Sequence, residues 1–348
     1  MNKKSMQAAV LAEPGMLLLQ STSRPACPPG GVLIKVKACG ICSADVKMAR
    51  SGHPALVYPR IPGHEISGLV LESRHQAFRE GERVQVAPGL RCGRCRHCRS
   101  GADNQCRDRQ IIGFTRDGGF AQMLALPLTG DCFGQLTRLP DNLDFTTATL
   151  AEPLACCLHA QQRAAVGAGD RVMVVGAGPL GLLHLMLARK KGAGQVFMVE
   201  VDGARRQMAE KLGADLSLPP APDVLDRAVR KATGGLGVDL LILACAGRGV
   251  DAGLAQLVAA GGRILFFSGL PADLAVIGPD ANQVHYREWT FIGSYGCTAK
   301  ANREAVALLA DPAFPAGQLI SRRISMDQLS QTLKREPSRD GYKIVVEV

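Results

Sequence analysis

Aromatic residues are scarce in this chain, at 4% of the sequence with a single Trp. Proteins that read single-stranded nucleic acid stack bases on aromatic rings, so this scarcity argues against a nucleic-acid partner. Long apolar runs are also missing. None approaches the roughly 18 residues needed to cross a bilayer, which excludes a helical membrane span. Lys3 and Lys4 begin like a signal peptide, but Glu13 and Pro14 cut short the apolar stretch behind them. The expectation is a cytoplasmic chain without a membrane partner. In that reducing compartment its 12 cysteines are explained by metal ligation and buried thiols and not by disulfides.

At 348 residues, 47% apolar content and 39 glycines, the chain is long enough for two domains and has the composition of a globular α/β protein. Its net charge is +10, and part of the excess lies at Arg91, Arg94, Arg96, Arg99, Arg107 and Arg109. These arginines surround Cys92, Cys95, Cys98 and Cys106, which form C-x2-C-x2-C-x7-C. Four thiols this close suit one tetrahedral ion, and a closed four-thiolate zinc site is the natural reading, with an iron–sulfur cluster as the other user of four thiolates. A basic zinc lobe of this kind touches nucleic acid in zinc knuckles, but no aromatic side chains are interleaved here. The remaining thiols, Cys27, Cys132, Cys156, Cys157, Cys245 and Cys297, read as small core or loop residues.

The first portion is β-rich. Val32 to Ala38, Ile66 to Glu72 and Arg83 to Ala87 read as strands separated by Pro and Gly punctuation. From about Asp170 strands alternate with helices, which predicts a parallel sheet. Arg171 to Val175 is an apolar strand running into Gly176-Ala177-Gly178-Pro179-Leu180-Gly181, with a helix expected over Leu182 to Lys191 and the next strand over Gln195 to Val199. Alone, G-x-G-x-x-G is weak. Between a strand and a helix, with Glu200 nineteen residues beyond Gly181, it predicts a dinucleotide site.

Glycines let the backbone approach a pyrophosphate, and the helix N-terminus offers unpaired N–H groups. Glu200 is placed to accept hydrogen bonds from the adenosine ribose and to repel a 2′-phosphate. Two unit charges about 4 Å apart at an effective dielectric near 20 interact by roughly 4 kcal/mol, on the order of a thousandfold preference for NAD over NADP. Arg205 and Arg206 are the opposing feature, because an NADP site uses a nearby arginine. Asp239 to Ala244 and Arg263 to Phe267 read as later strands, and the turns after them, including Ala246-Gly247 and Ser268-Gly269, should line the nicotinamide side.

One thiolate, one imidazole and one carboxylate remain in the first portion. Cys42 lies in Cys39-Gly40-Ile41-Cys42-Ser43-Ala44-Asp45, His64 and Glu65 follow Gly63, and Glu152 precedes Pro153. Three protein ligands with a fourth position open is the arrangement of catalytic zinc.

In this order, with a closing strand at Tyr342 to Val348, these motifs resemble the zinc-dependent medium-chain dehydrogenase/reductase superfamily, the alcohol and polyol dehydrogenases, over nearly the whole length. Glu152-Pro153 is similar to the sorbitol and threonine dehydrogenase branches, where a glutamate replaces the third-ligand cysteine and Glu65 is the alternative ligand. The resemblance implies a GroES-like catalytic domain over residues 1–152 with its zinc lobe at 91–109, a Rossmann NAD(P)-binding domain over 153–291, and a return to the catalytic domain over 292–348. It implies two zinc ions per chain, one held by Cys42, His64 and Glu152 and one by the quartet. It further implies Asp45 behind His64, NAD in preference to NADP, a small-molecule substrate, and a homodimer or homotetramer.

The reaction it implies is hydride transfer between a nicotinamide cofactor and a secondary alcohol or ketone of sugar, cyclitol or amino-alcohol type. Two departures qualify it. Ala44 stands where the family places the Ser or Thr that begins the proton relay, and Lys47 where it places the relay histidine. Positioned acid–base groups contribute roughly 10²–10⁴-fold, so Ser43, Glu152, Lys47 or a substrate group must substitute. The alternatives are reduction of an imine or conjugated double bond, and a non-catalytic NAD(H)-binding protein. His53 and His285 are candidates to face the cleft, while Gly296 and Cys297 stand where sorbitol dehydrogenases carry an arginine and a tyrosine near the substrate, which argues against a linear polyol.

Overall fold

The computed structural model describes residues 4–128, 134–245, 252–270, 278–334 and 341–348. Cys132, Ala246 and Gly247 lie outside them. The chain divides into two units, Met1–Cys156 with Cys297–Val348, and Cys157–Gly296.

The first unit is organised around the strand Val32–Gly40, which is buried along nearly its whole length, with only Lys35 and Lys37 reaching outward. This strand pairs antiparallel with Glu65–Ser73 along its length, with Met123–Leu126 at its start and with Lys343–Glu347 at its end. Arg83–Val86 and Leu136–Arg138 extend the sheet on one side, and Ile320–Ser325 lies parallel to Lys343–Glu347 on the other. An antiparallel hairpin, Ser5–Glu13 with Met16–Ser23, precedes it. Ile34, Ile66, Phe120 and Leu126 are fully buried in the core beneath. Each such side chain contributes about 1.5–3 kcal/mol of burial energy.

Register places the chemistry. Gly40 is opposite Glu65 on one side and Val345 on the other, so the last strand of the chain delivers Lys343 to Glu65.

The second unit is a six-stranded, wholly parallel sheet in the order Leu216–Leu218, Gln195–Val199, Arg171–Val175, Val238–Leu243, Val258–Phe266 and Thr290–Gly293. In chain order this is 3-2-1-4-5-6, the doubly wound arrangement, whose ligand position lies at the carboxyl ends of the central strands. Its central strands Gln195–Val199, Arg171–Val175 and Val238–Leu243 are buried on both faces and read as continuous apolar runs, as parallel sheets require. Arg171 ties the first strand to its neighbour by a bidentate ion pair with Asp239, at 2.8 and 2.6 Å. Trp289 fills the core and donates its indole N–H to Ala259 O at 2.9 Å.

Two secondary-structure boundaries differ from the sequence expectation by three residues or more. The helix after the glycine run spans Pro179–Lys190 and starts three residues earlier than expected, with Gly178 at its N-cap. Pro at the first helical position costs nothing, because its missing N–H would be unpaired there anyway. The strand expected from Arg263 begins at Val258 and carries Gly261 and Gly262, with a register shift against its neighbour. Paired glycines hid it, because glycine weakens strand propensity.

Candidate metal centres and cofactor cradle

The quartet converges. The ligand atoms of Cys92, Cys95, Cys98 and Cys106 all lie within 4.8 Å of one another. The loop is short enough to do this because Cys95 caps a single helical turn, Arg96–Arg99, and the 3-10 turn Asp103–Gln105 leads into Cys106. Sγ of Cys95 lies 3.5 Å from that of Cys98, and the Cys92 N–H points to Cys106 Sγ at 3.4 Å. The backbone N–H of Cys98 draws the Cys95 thiol down to about 6, whereas burial and the neighbouring thiols push Cys98 up to about 12. Several thiolates cannot ionise side by side without a cation, and a divalent ion is what this donor set suits.

Sequence reasoning passed over the anchor of this lobe. Asp103, 8% exposed, pairs with Arg91 and accepts from the N–H of Ala299 at 3.2 Å. Arg91 is therefore an internal partner of a carboxylate before it is a counter-charge for thiolates.

A second group contains Cys42, His64 and Glu65, whose ligand atoms also lie within 4.8 Å of one another. Cys42 is the N-cap of the helix Ser43–Ser51, so its thiol stands at a helix N-terminus. Asp45, fully buried, braces the site from three directions. It accepts from the N–H of Cys42 at 2.9 Å and of Gly63 at 3.2 Å, and its Oδ1 lies 3.5 Å from His64 Nδ1. Burial alone would depress the His64 imidazolium, but the Asp45 carboxylate and then the Cys42 sulfur overcome it and hold the ring well above its ordinary value. Phe114 covers the ring at 5.4 Å.

Glu65 is 0% exposed and Lys343 5% exposed, and the two form a buried ion pair. Burial pushes the Glu65 carboxyl up and Lys343 draws it back, while for Lys343 burial, the largest influence, pulls the ammonium down and Glu65, Cys42 and Glu152 together raise it. Gly40 makes room for this pair, because a Cβ there would stand 2.0 Å from Glu65 Oε2.

Two buried atoms at this group, His64 Nδ1 and Glu65 Oε2, have no hydrogen-bond partner. An imidazole, a thiol and an unsatisfied carboxylate oxygen in one buried pocket fit a divalent zinc ion, which takes N, S and O ligands alike.

Glu152 is not a member of that group. It stands instead with Cys156 and Cys297, its Oε1 3.4 Å from Cys156 Sγ, although its charge still reaches Glu65 and Lys343. Ser43 Oγ lies 4.0 Å from Cys42 Sγ. Lys47 is exposed on the helix that Cys42 caps. His53 uses its Nδ1 to accept the Ala55 N–H at 3.1 Å, and His285 is exposed on a short helix beside Tyr286.

In the second unit the glycine run makes the expected strand–turn–helix. Gly181 allows the closest approach: a Cβ there would be 1.8 Å from Gly176 O. Gly176, Gly178, Pro179, Leu180 and Gly181 therefore bend the chain so that the first turn of the helix faces the strand end. Beside it lies a cavity of about 360 Å³ lined by Val175, Gly176, Val199, Glu200, Val201, Pro220 and Cys245. A glycine turn, helix N-terminus and adjoining cavity fit a dinucleotide.

Glu200, 8% exposed, is more engaged than the sequence suggested. Its Oε2 accepts the Ala177 N–H at 2.8 Å and its Oε1 the Asp202 N–H at 3.0 Å. Arg206 donates to the carbonyls of Glu200 and Val201, each at 2.8 Å, and the backbone N–H of Arg205 donates to Asp202, the cap of its helix. Ser268 sits just beyond the strand Val258–Phe266, with its N–H on Leu243 O at 3.1 Å.

Residues 28–134 match the family model described as alcohol dehydrogenase GroES-like domain, and residues 179–311 the one described as zinc-binding dehydrogenase. The chain is 31% identical over 336 residues to L-galactonate-5-dehydrogenase of Escherichia coli K12, covering 95% of each. It is 30% identical over 339 residues to D-altritol 5-dehydrogenase of Agrobacterium fabrum, covering 96% of each. A zinc-binding dehydrogenase structure from Sinorhizobium meliloti 1021 bound to NADP is 30% identical, with a TM-score of 0.89 over 99% of this chain and 100% of that one. These relatives favour neither the imine or conjugated-bond reductase nor the non-catalytic reading. No helix among the described residues is long and apolar enough to cross a membrane.

Proposed function

We propose, since this chain belongs to the zinc-dependent medium-chain dehydrogenase/reductase superfamily and is an NAD(P)-dependent oxidoreductase of alcohols, that its substrate is a polyol or sugar acid oxidised at a secondary hydroxyl. Two relatives named for such substrates support the class, against the expectation from Gly296 and Cys297 that a linear polyol is disfavoured. The observation that carries the assignment of the centre is the meeting of Cys42, His64 and Glu65 within 4.8 Å, braced by Asp45.

When bound, zinc and the nicotinamide dinucleotide supply Lewis acidity at the alcohol oxygen and a hydride acceptor. The rest is the work of the chain. Cys42 and His64 present their donors, with Asp45 facing Nδ1 and so leaving Nε2 for the ion. Glu65 is the third donor in this arrangement, held in place by Lys343. Glu152, partly exposed and outside that trio, is the carboxylate available to take the substrate proton in place of a hydroxyl at Ala44. Ser43 and exposed Lys47 are the other groups near the start of that helix.

In the cofactor unit the backbone of Gly176 to Gly181 receives the pyrophosphate. The Glu200 charge disfavours a 2′-phosphate, so NAD is the preferred cofactor, and Arg205 is the residue positioned to offset that preference. Ser268 lies at the nicotinamide end. This reading carries with it a cytoplasmic location, where the quartet thiols stay reduced, and a homodimer or homotetramer, which sedimentation would count.

The test is metal content by mass spectrometry with NADH and NADPH titration by nicotinamide fluorescence, on wild type and Cys42→Ala. Two zinc ions per chain falling to one, with NADH bound more tightly and turnover of hexitols or hexonic acids, is the expected result. A zinc count that Cys42→Ala leaves unchanged would overturn the assignment of the centre.

A further inference from the structure

Three donors outside both zinc groups meet in the first unit. Glu152 and Cys156 are four residues apart on the helix Ala151–Arg163 and so share one face, with Glu152 Oε1 3.4 Å from Cys156 Sγ. Cys297 reaches them from a different segment. It immediately precedes Thr298, whose hydroxyl caps the helix Ala299–Leu309 by accepting from the Ala301 N–H at 3.1 Å. Thr298 and Asn302 are buried, and the Ala299 N–H is fixed by Asp103. Both sides of the cluster are thus built on capped or continuous helix, which restricts where the sulfur atoms can go.

We propose that Glu152, Cys156 and Cys297 form a third site, for a thiophilic divalent cation of the zinc and cadmium class.

The ligand atoms of the three lie within 4.8 Å of one another. Around a tetrahedral zinc with bonds of about 2.3 Å to sulfur and about 2.1 Å to oxygen, donors are separated by about 3.5–3.8 Å, so a contraction of about 1 Å at most closes the site. Two thiolates and one carboxylate neutralise a divalent charge with one negative charge over, and that set selects soft or borderline cations over magnesium and calcium. All three residues are partly exposed, so the ion can enter and water can take the fourth position. No ligand is shared with the quartet or with Cys42, His64 and Glu65, and neither thiol is in a disulfide.

Occupancy has a consequence for the neighbouring centre. Glu152 acts electrostatically on Glu65 and Lys343. A cation that binds Glu152 removes that negative charge from their surroundings, so the two cations oppose one another, and by linkage each weakens the other equally. The third site does not depend on the substrate assigned above, whereas its opposition to the neighbouring centre rests on that centre's assignment, and an ion on Glu152 would occupy the carboxylate assigned there to take the substrate proton.

Metal counting on the full, zinc-loaded chain equilibrated with excess zinc or cadmium tests it, together with the near-ultraviolet thiolate-to-cadmium charge-transfer absorbance. Wild type should bind one cation more per chain than either Cys156→Ser or Cys297→Ser, and each variant should lose part of the charge-transfer signal while keeping the ions of the other two groups. Equal counts in wild type and both variants would overturn the proposal. So would loss of the additional ion in Cys42→Ala but not in Cys297→Ser, or a Cys156–Cys297 disulfide in non-reducing peptide maps of the protein that binds no third ion.

Discussion

Replacing His184 with Leu should remove a specific part of the acid sensitivity of this protein. His184 is 0% exposed in the Pro179–Lys190 helix, with its ring edge-on to Phe267 at 4.4 Å. Gln161 donates to its carbonyl at 2.8 Å and lies 3.3 Å from Nδ1, while Nε2 has no hydrogen-bond partner. Burial first, and the charge of Lys191 second, depress the imidazole from 6.5 to about 3. The folded state therefore holds a neutral ring where the unfolded chain takes up a proton. Because the unfolded state binds more protons, stability rises with pH across this window. The contribution is complete above about pH 6.5, falls as pH drops below it, and levels off below about pH 3. At about 1.4 kcal/mol per pH unit, the loss is about 1 kcal/mol at pH 5.5 and about 3 kcal/mol at pH 4.5.

The assay is urea unfolding of wild type and His184→Leu from pH 7.5 to 4.5, read as the difference between the two so that other titrating groups cancel. The variant keeps the Gln161 bond to the carbonyl at position 184 and should narrow the stability gap, or overtake wild type, as pH falls. A difference that stays flat across the range would refute the reasoning.

Gly181→Ala should weaken NADH binding and stability together by about 1–3 kcal/mol, since a methyl group cannot occupy space 1.8 Å from Gly176 O without moving the turn. Fluorescence titration beside thermal unfolding measures both, and unchanged NADH affinity would remove this turn from the cofactor site. Lys343→Met leaves the buried Glu65 carboxylate without its cation and should cost about 3 kcal/mol, the low end for breaking a buried pair because a metal at this centre shares the charge. In denaturant unfolding of metal-free protein the double variant Glu65→Gln, Lys343→Met should be more stable than Lys343→Met alone, because it leaves no unpaired buried charge, and a single-variant loss below about 1 kcal/mol would contradict the pairing.

Much of this protein was legible along the chain because its signals are local. C-x2-C-x2-C-x7-C keeps its four ligands within one short loop, and the four thiols meet as the spacing implied. The strand, glycine turn and helix at Arg171–Lys190 follow from residues in direct succession, where glycine and proline act on the backbone within a few bonds. The four apolar runs that became the central strands of the parallel sheet were equally plain, since burial on both faces leaves no room for polar alternation, whereas the partly exposed edge strands Leu216–Leu218 and Thr290–Gly293 gave no such signal.

What only the tertiary structure decided are the partners of buried charges, because these come from segments hundreds of residues apart. Nothing near Glu65 in sequence points to Lys343, which sheet register alone brings to it. Asp103 likewise finds the start of the Ala299–Leu309 helix. The sequence points Glu152 toward Cys42 and His64, yet helix periodicity and the entry of Cys297 gather it with two thiols that read as ordinary core or loop residues. Ligand type is written in composition and local spacing, whereas which ligands share an ion depends on strand register and helix phase, and these are fixed by packing across the whole unit.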